Sequence, residues 1–82
     1  MTKIFYKPQA IKSLKKFPQS QQKKILKKIE LLSANPLVGK AFKGELAGLR
    51  SLRIWPYRII YEFKANRIII LMISHRQSIY KN

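Results

Sequence analysis

Residues 49–63 read LRSLRIWPYRIIYEF, and this stretch sets the architecture of the chain. On both sides of Trp55-Pro56 the apolar and polar side chains alternate, which is the period of two that β-strands show. A run of apolar residues at 68–73 follows a turn at residues 64–66, and its two apolar faces suggest the middle of a sheet. The sequence therefore predicts an antiparallel meander of three strands, residues 49–55, 57–63 and 67–74.

The first half of the chain has helical periodicity after a short β-prone run, KIFYK at residues 3–7. One helix is predicted from Pro8, which suits a first helical position, to a stop at Pro18. A second helix is predicted with Ser20 as its N-cap and with a stop at Asn35-Pro36. Each helix has an apolar stripe and a lysine-rich face, so we expect the two to form a hairpin.

The predicted order is one strand, two helices and three strands, with residues 37–48 as a loop that carries all three glycines. This is an α+β fold, β-α-α-β-β-β, in which the helix hairpin packs on one face of an antiparallel sheet and the first strand adds at the sheet edge. No further element of the sequence would cover the other face. A length of 82 residues leaves room for one domain, residues 1–82.

The charge balance indicates the kind of partner. Eighteen lysines and arginines stand against three acidic residues, which gives a formal net charge of +15. Self-repulsion at this density favours a polyanionic partner, and a basic surface gains affinity by releasing counterions from nucleic-acid phosphates. Nucleic acid, an acidic protein and an anionic membrane surface all fit this charge. A role in solubility alone is the alternative.

Several function classes are disfavoured. The chain has no cysteine and one histidine, which argues against a disulfide framework and against a zinc site. It has no aspartate for a serine triad and no phosphate-binding glycine loop. The first residues do not resemble a signal peptide, and the longest apolar run is too short to cross a bilayer. We therefore expect a soluble, cytoplasmic protein.

Arg53 and Arg58 are the sharpest candidates for a site. A turn with an even number of residues places them opposite each other; a four-residue loop, residues 54–57, accommodates the proline better than a two-residue turn. Like charges directly opposite destabilise a sheet, so a tolerated pair suggests an anion between them, and guanidinium forks suit phosphate. The alternative is that both side chains extend into solvent or that one pairs with Glu62.

Two further groups of residues are weaker candidates. Strict alternation puts Arg50 on the core side of its strand, unless a bulge intervenes or the strand begins later. His75, Arg76 and Tyr80 follow the last strand within six residues. Histidine can transfer protons, arginine can stabilise a phosphoryl charge, and tyrosine can stack on a base. A surface histidine, a solvated arginine and an aromatic anchor are the alternative interpretations.

Two runs of the sequence, GELAGLRSLRIWPYRIIYEF at residues 44–63 and IIILMISHRQSIY at residues 68–80, together resemble the RelE/ParE toxin superfamily. Its members show a basic strand ending in Leu-Arg, a Tyr-Arg-apolar-apolar-Tyr strand, and a closing His-Arg and apolar-Tyr. The resemblance implies the toxin of a type II toxin–antitoxin system, held inactive by a small antitoxin. The net charge of +15 predicts that the binding segment of this antitoxin is acidic. RelE-like members bind the ribosomal A site and cleave mRNA by 2′-hydroxyl attack, without a metal or other cofactor.

The resemblance also implies roles for individual residues. Arg58 is expected to stabilise the phosphate in the transition state, with support from Arg53. Arg76 matches the closing arginine, Tyr80 the tyrosine that stacks on or deprotonates the nucleotide, and His75 is a possible acid–base partner. Further basic residues predicted to bind RNA are Lys43, Arg50, Lys24 and Lys28.

The chain departs from the family pattern at two places. Trp55-Pro56 stands where many relatives have Gly-Asp, and Ser51 stands where some nucleases have a lysine, so that Lys43 or Arg50 would have to substitute. ParE-like relatives poison DNA gyrase without nuclease chemistry, so a binding module with gyrase as its partner is the alternative function. A nucleic-acid-binding module without activity is a third. The lysine-rich helix could touch anionic lipid, but the sheet half does not need a membrane.

Overall fold

The helical and the strand segments of the sequence form two separate layers. The computed structural model describes residues 2–75, and within them two helices lie on one face of a five-stranded sheet. A short 3₁₀ turn at Gly44–Leu46 precedes the meander. The elements are β1 (Lys3–Tyr6), α1 (Pro8–Lys15), α2 (Gln19–Ala34), β2 (Lys40–Ala41), β3 (Leu49–Ile54), β4 (Tyr57–Lys64) and β5 (Arg67–His75).

The sheet has the strand order β1-β5-β4-β3-β2. The antiparallel meander of β3, β4 and β5 is confirmed, as is the α+β class with β1 at the edge. However, β1 runs parallel to β5, so the sheet is mixed, and the prediction of a wholly antiparallel sheet is wrong at this edge. The sequence gives no direction for β1 because no turn joins it to β5. The predicted loop at residues 37–48 contains β2, whose two residues are too few to show a period.

The helix boundaries follow the prolines. α1 begins at Pro8, and α2 ends at Ala34, directly before the predicted stop. Ser20 is not the N-cap of α2, because that helix already begins at Gln19 and Pro18 occupies the cap position without a side-chain hydrogen bond. The Pro18 carbonyl instead accepts the first helical hydrogen bonds, both at 2.9 Å. Neither helix in residues 2–75 is long and apolar enough to span a membrane.

The core lies between the helices and one face of the sheet. A register shift between Ile60 and Tyr61 lets Met72 pair with Ile60 and Ile70 with Tyr61, so Leu71 is an extra residue in β5. The shift changes the alternation, and it turns Ile73 toward the helices together with Ile70 and Ile68. The buried apolar residues are Ala10, Leu14, Ile25, Ile29, Leu32, Leu52, Ile54, Tyr57, Ile59, Tyr61, Ile68, Ile70 and Ile73. No helix within residues 2–75 covers the opposite face, as predicted.

Candidate functional site

The turn between β3 and β4 fixes the position of the two arginines. Ile54 pairs with Tyr57 and Arg53 pairs with Arg58, so the predicted cross-strand pairing is confirmed. The loop holds only two residues, and the prediction of a four-residue loop is wrong. The Trp55–Pro56 peptide bond is cis, as in the turn type that has a cis-proline at its third position.

The arginine pair lies on the uncovered face of the sheet, where Arg53 is exposed and Arg58 is half-buried. Residues directly opposite in antiparallel strands have Cβ atoms about 4.5–5.5 Å apart, so two positive side chains begin side by side. Within residues 2–75 no carboxylate forms an ion pair with either guanidinium. Glu62 is four residues further along β4, about 13 Å away, which excludes the alternative that it neutralises Arg58. Among the described residues, the pair therefore carries two positive charges that no carboxylate neutralises.

A depression of about 710 Å³ adjoins the pair at the sheet edge. Lys40 of β2 contributes a third cation to its wall, and Ser51, the β-ladder partner of Lys40, contributes a hydroxyl. The complete lining is Val38, Lys40, Ala41, Phe42, Ser51, Leu52, Arg53 and Arg58. Lys40 was missed from the sequence because nothing in the spacing of residues 37–48 indicates that a strand brings it beside Ser51.

The segment before β2 is fastened to the sheet by two side chains that lie on the helix-covered side. The Gly39 amide donates to Tyr61 Oη at 3.0 Å, and the Tyr61 hydroxyl donates to the Pro36 carbonyl at 2.8 Å. Arg50 Nη1 donates to the carbonyls of Gly39 at 2.7 Å and Leu37 at 3.2 Å. Burial raises the pKa of Tyr61, while the Gly39 amide and Arg50 act in the opposite direction. We call this arrangement the Tyr61–Arg50 clamp.

The clamp explains the position of Arg50. Alternation predicted this residue on the core side, and it does pair with Tyr61 there, with β3 beginning at Leu49. No bulge is needed, because loop carbonyls accept from the guanidinium. Arg50 is thus directed at the protein's own backbone and not at the face that carries Arg53. The prediction that it binds RNA remains a prediction.

His75 does not join the arginines. It pairs with Tyr57 across β4 and β5, and the two rings meet edge-on with centroids 5.4 Å apart. On the side of the helices Tyr57 also contacts Phe17, with the two ring centroids 4.5 Å apart. The expectation that His75 points at the same site as Arg58 is therefore wrong. The extra residue in β5 is the reason, because it shifts the alternation and leaves Ser74, not His75, opposite Arg58 on the uncovered side.

Comparisons with known proteins fit this geometry. Residues 4–80 match the family described as "ParE toxin of type II toxin-antitoxin system, parDE". The chain belongs to this family. The toxin is 42% identical over 53 residues to Toxin RelG of Mycobacterium tuberculosis, a match that spans 61% of this chain and 61% of that relative.

Solved structures agree with the family assignment. The toxin superposes on the RelBE2 toxin–antitoxin complex of Mycobacterium tuberculosis with a TM-score of 0.83 and 30% identity, covering 92% of this chain and 98% of that one. For the RelB–RelE complex of Methanococcus jannaschii the TM-score is 0.76 at 28% identity, with 94% and 95% covered. The intact Escherichia coli RelBE complex, at 11% identity, shares the fold with a TM-score of 0.79, covering 92% and 96%.

The remaining predicted residues lie on other elements of the fold or outside the described range. Lys24 and Lys28 are exposed on α2, in the helix layer, and Lys24 Nζ donates to the Trp55 carbonyl at 3.2 Å. Lys43 is exposed in the stretch between β2 and the 3₁₀ turn. Arg76 and Tyr80 lie outside residues 2–75. The structure thus brings Arg53, Arg58 and Lys40 together. Arg50 and His75 leave the sheet on the other face, and Lys24 reaches only the backbone of the turn between the two arginines.

Proposed function

We propose that the toxin is an mRNA interferase, a ribosome-dependent endoribonuclease that cleaves mRNA in the A site. The observation that carries this proposal is the Arg53–Arg58 pair on the uncovered face, with no carboxylate of residues 2–75 to neutralise it. Two guanidinium groups on adjacent strands can donate hydrogen bonds to different oxygens of the same phosphate. The proposal assigns the toxin to the cytoplasm, where translating ribosomes present mRNA.

The proposed reaction is an internal transesterification. The ribose 2′-oxygen attacks the adjacent phosphorus, so an O2′–P bond forms and the P–O5′ bond breaks. The 2′-hydroxyl loses its proton and the departing 5′-oxygen gains one, which leaves a 2′,3′-cyclic phosphate and a 5′-hydroxyl. Negative charge accumulates on the phosphoryl oxygens at the transition state, and Arg58, supported by Arg53, stabilises it.

The two proton transfers are assigned from the family pattern. Tyr80 and Arg76 are proposed to act on the nucleotide and the phosphate from the C-terminal segment. A tyrosine near several cations has its deprotonated form favoured, which suits a role as a base. His75 is a weaker candidate than the sequence indicated, since its ring packs against Tyr57 on the other side of the sheet.

An antitoxin is the second proposed partner. The solved relatives from Mycobacterium tuberculosis and Methanococcus jannaschii are toxin–antitoxin complexes. We propose that a cognate antitoxin covers part of the arginine face with an acidic segment, because a net charge of +15 favours a negatively charged partner. A short adjacent gene that encodes an acidic chain with a DNA-binding end would support this partner. A strongly basic binding segment would contradict it.

The test of function is cleavage of mRNA on translating ribosomes, read by mapping mRNA 5′ ends. Arg58→Ala is expected to reduce the cleavage rate by about 10²–10³-fold, the usual cost of removing one transition-state donor. Arg67→Ala is the matched control, because Arg67 is an exposed arginine at the other end of the sheet, opposite Lys64. Wild-type cleavage by Arg58→Ala, with cuts within the A-site codon, would refute the assigned site. Tyr80→Ala should also abolish the growth arrest that expression of the wild-type toxin is expected to cause.

The second candidate function is a gyrase poison without nuclease chemistry, and the family description as a ParE toxin favours it. The same face would then bind gyrase through charge complementarity, with no bond made or broken by the toxin. The two functions separate in one experiment after induction of the toxin. Cut mRNA with intact DNA supports the nuclease, whereas intact mRNA with trapped gyrase–DNA breaks supports the poison.

A further inference from the structure

We propose that Lys40 is a third phosphate-binding cation of this site, and that the Tyr61–Arg50 clamp positions it. The inference rests on the proposed RNA-cleaving function. It adds a substrate-binding residue from β2, a strand of two residues that sequence periodicity does not predict.

The sheet register places Lys40 on the arginine face. Lys40 pairs with Ser51, and Ser51 is two residues before Arg53, so all three side chains leave the sheet on the same side. Lys40 is therefore a diagonal neighbour of Arg53, at about 7–8 Å between backbones. The side chain of Lys40 is exposed and lines the same depression as Arg53 and Arg58. A strand of RNA held at the arginine pair can thus present a neighbouring phosphate to Lys40.

The clamp supplies the rigidity that a two-residue strand lacks. Gly39, directly before Lys40, donates its amide to Tyr61 Oη and accepts from Arg50 through its carbonyl, so both of its backbone groups are bound to the sheet. The approach is close enough that a Cβ on Gly39 would lie 2.6 Å from Tyr61 Oη. The backbone of Lys40 is therefore fixed before RNA arrives, and fewer degrees of freedom are lost on binding.

The alternative interpretation is that Lys40 is one of many solvated lysines of a basic protein. The two interpretations differ in the salt dependence of binding, because a lysine that contacts a phosphate releases a counterion. Each such contact with single-stranded nucleic acid contributes about 0.7 to the slope of log affinity against log salt. A lysine that acts only through the general field of the protein changes the slope little.

The experiment measures anisotropy of a labelled single-stranded RNA that carries 2′-O-methyl groups, so that it binds without being cleaved. Lys40→Ala is expected to reduce the magnitude of the slope of log affinity against log salt by about 0.7, which makes the salt dependence shallower. Lys40→Arg is expected to restore the wild-type slope. Lys27→Ala is the matched control, because Lys27 is exposed on α2 and belongs to no proposed contact. Its slope should equal that of the wild type.

A Lys40→Ala slope equal to that of Lys27→Ala would overturn the inference, and so would a wild-type toxin that does not bind the RNA. These results are distinguishable from failure of the proposed function. If Arg58→Ala lowers the slope and Lys40→Ala does not, the arginine site stands without Lys40. If neither variant changes the slope, the phosphate site itself is refuted.

The positioning role of the clamp has its own readout. Tyr61→Phe, studied at a temperature where circular dichroism shows it folded, is expected to lower the slope toward that of Lys40→Ala. Adding Lys40→Ala to Tyr61→Phe should then change little, because residues that act through one another are not additive. If the role of Tyr61 is only structural, Tyr61→Phe will lower stability but will change neither the salt slope nor the effect of Lys40→Ala. That result would overturn this part of the inference.

Discussion

Removing one oxygen atom from the clamp is the most informative single change in the fold. Tyr61→Phe keeps the ring in the core, where the residue is 0% exposed, and deletes the hydroxyl alone. Two hydrogen bonds are lost together: the one that Tyr61 Oη accepts from the Gly39 amide at 3.0 Å, and the one it donates to the Pro36 carbonyl at 2.8 Å. The packing of the ring against its neighbours is unchanged.

The size of the effect follows from the groups left behind. Gly39 is buried, so its amide loses its acceptor in a place that water reaches poorly, at a cost of about 1–3 kcal/mol. The Pro36 carbonyl adds less, because an under-satisfied carbonyl is tolerated better than an orphaned amide. We expect a total loss of roughly 2–4 kcal/mol in the free energy of unfolding. For 82 residues the whole stability is about 4–12 kcal/mol, so the loss is large.

Urea denaturation followed by far-ultraviolet circular dichroism measures this loss as a lower midpoint at an unchanged slope. Tyr57→Phe is the matched control, because Tyr57 is also a buried tyrosine of β4 on the same face. Within residues 2–75 its hydroxyl makes no hydrogen bond. The control should cost less than about 0.5 kcal/mol. Equal losses in the two variants, or a Tyr61→Phe variant as stable as the wild type, would refute the reasoning about the clamp.

Three further outcomes follow from the geometry. Arg58→Met should raise the free energy of unfolding by about 0.2–1 kcal/mol while activity is lost, since it removes a like-charge pair; a loss of stability in urea would contradict this. Burial raises the pKa of Tyr61 and of Tyr6 above 10.0, and Glu30 raises that of Tyr6 further. The stability that the neutral hydroxyls contribute is therefore fully present below pH 10.0 and is lost as the pH rises through the raised pKa values of the folded state. The fall in stability should be smaller after Tyr61→Phe. Urea midpoints measured at neutral and at alkaline pH test this. Gly39→Ala should cost about 1–3 kcal/mol by urea denaturation, and combined with Tyr61→Phe less than the sum; strict additivity would argue against the contact.

The arginine pairing could be predicted from the sequence because parity alone determines it. Two strands joined by a short turn have few possible registers, and any even loop places Arg53 opposite Arg58. The helix ends were predictable for a similar reason, since prolines at positions 8, 18 and 36 restrict the backbone locally. Features fixed by neighbouring residues were therefore predicted correctly, apart from the N-cap of α2 and the length of the loop between β3 and β4.

Features fixed by distant residues were not predictable. The direction of β1 depends on where the helix hairpin returns the chain, and the strand character of Lys40 depends on pairing with Ser51. The orientation of His75 depends on the extra residue at Leu71, which leaves no trace in a run that is apolar on both faces. The contacts of Arg50 with loop carbonyls were also hidden, because backbone acceptors have no signature in the sequence.

Because the two opposed guanidinium groups repel each other in the folded state, binding of an anion between them is expected to stabilise the fold. Repulsion between Arg53 and Arg58 exists only in the paired strands, so an anion that binds between them favours the native chain over the unfolded one. For a ligand at a hundred times its dissociation constant, this linkage amounts to about 2.7 kcal/mol. We therefore expect a polyphosphate or polycarboxylate that binds the proposed arginine site to stabilise the folded state as well. Melting temperatures should rise with the concentration of such an anion and should be compared only at a stated buffer composition.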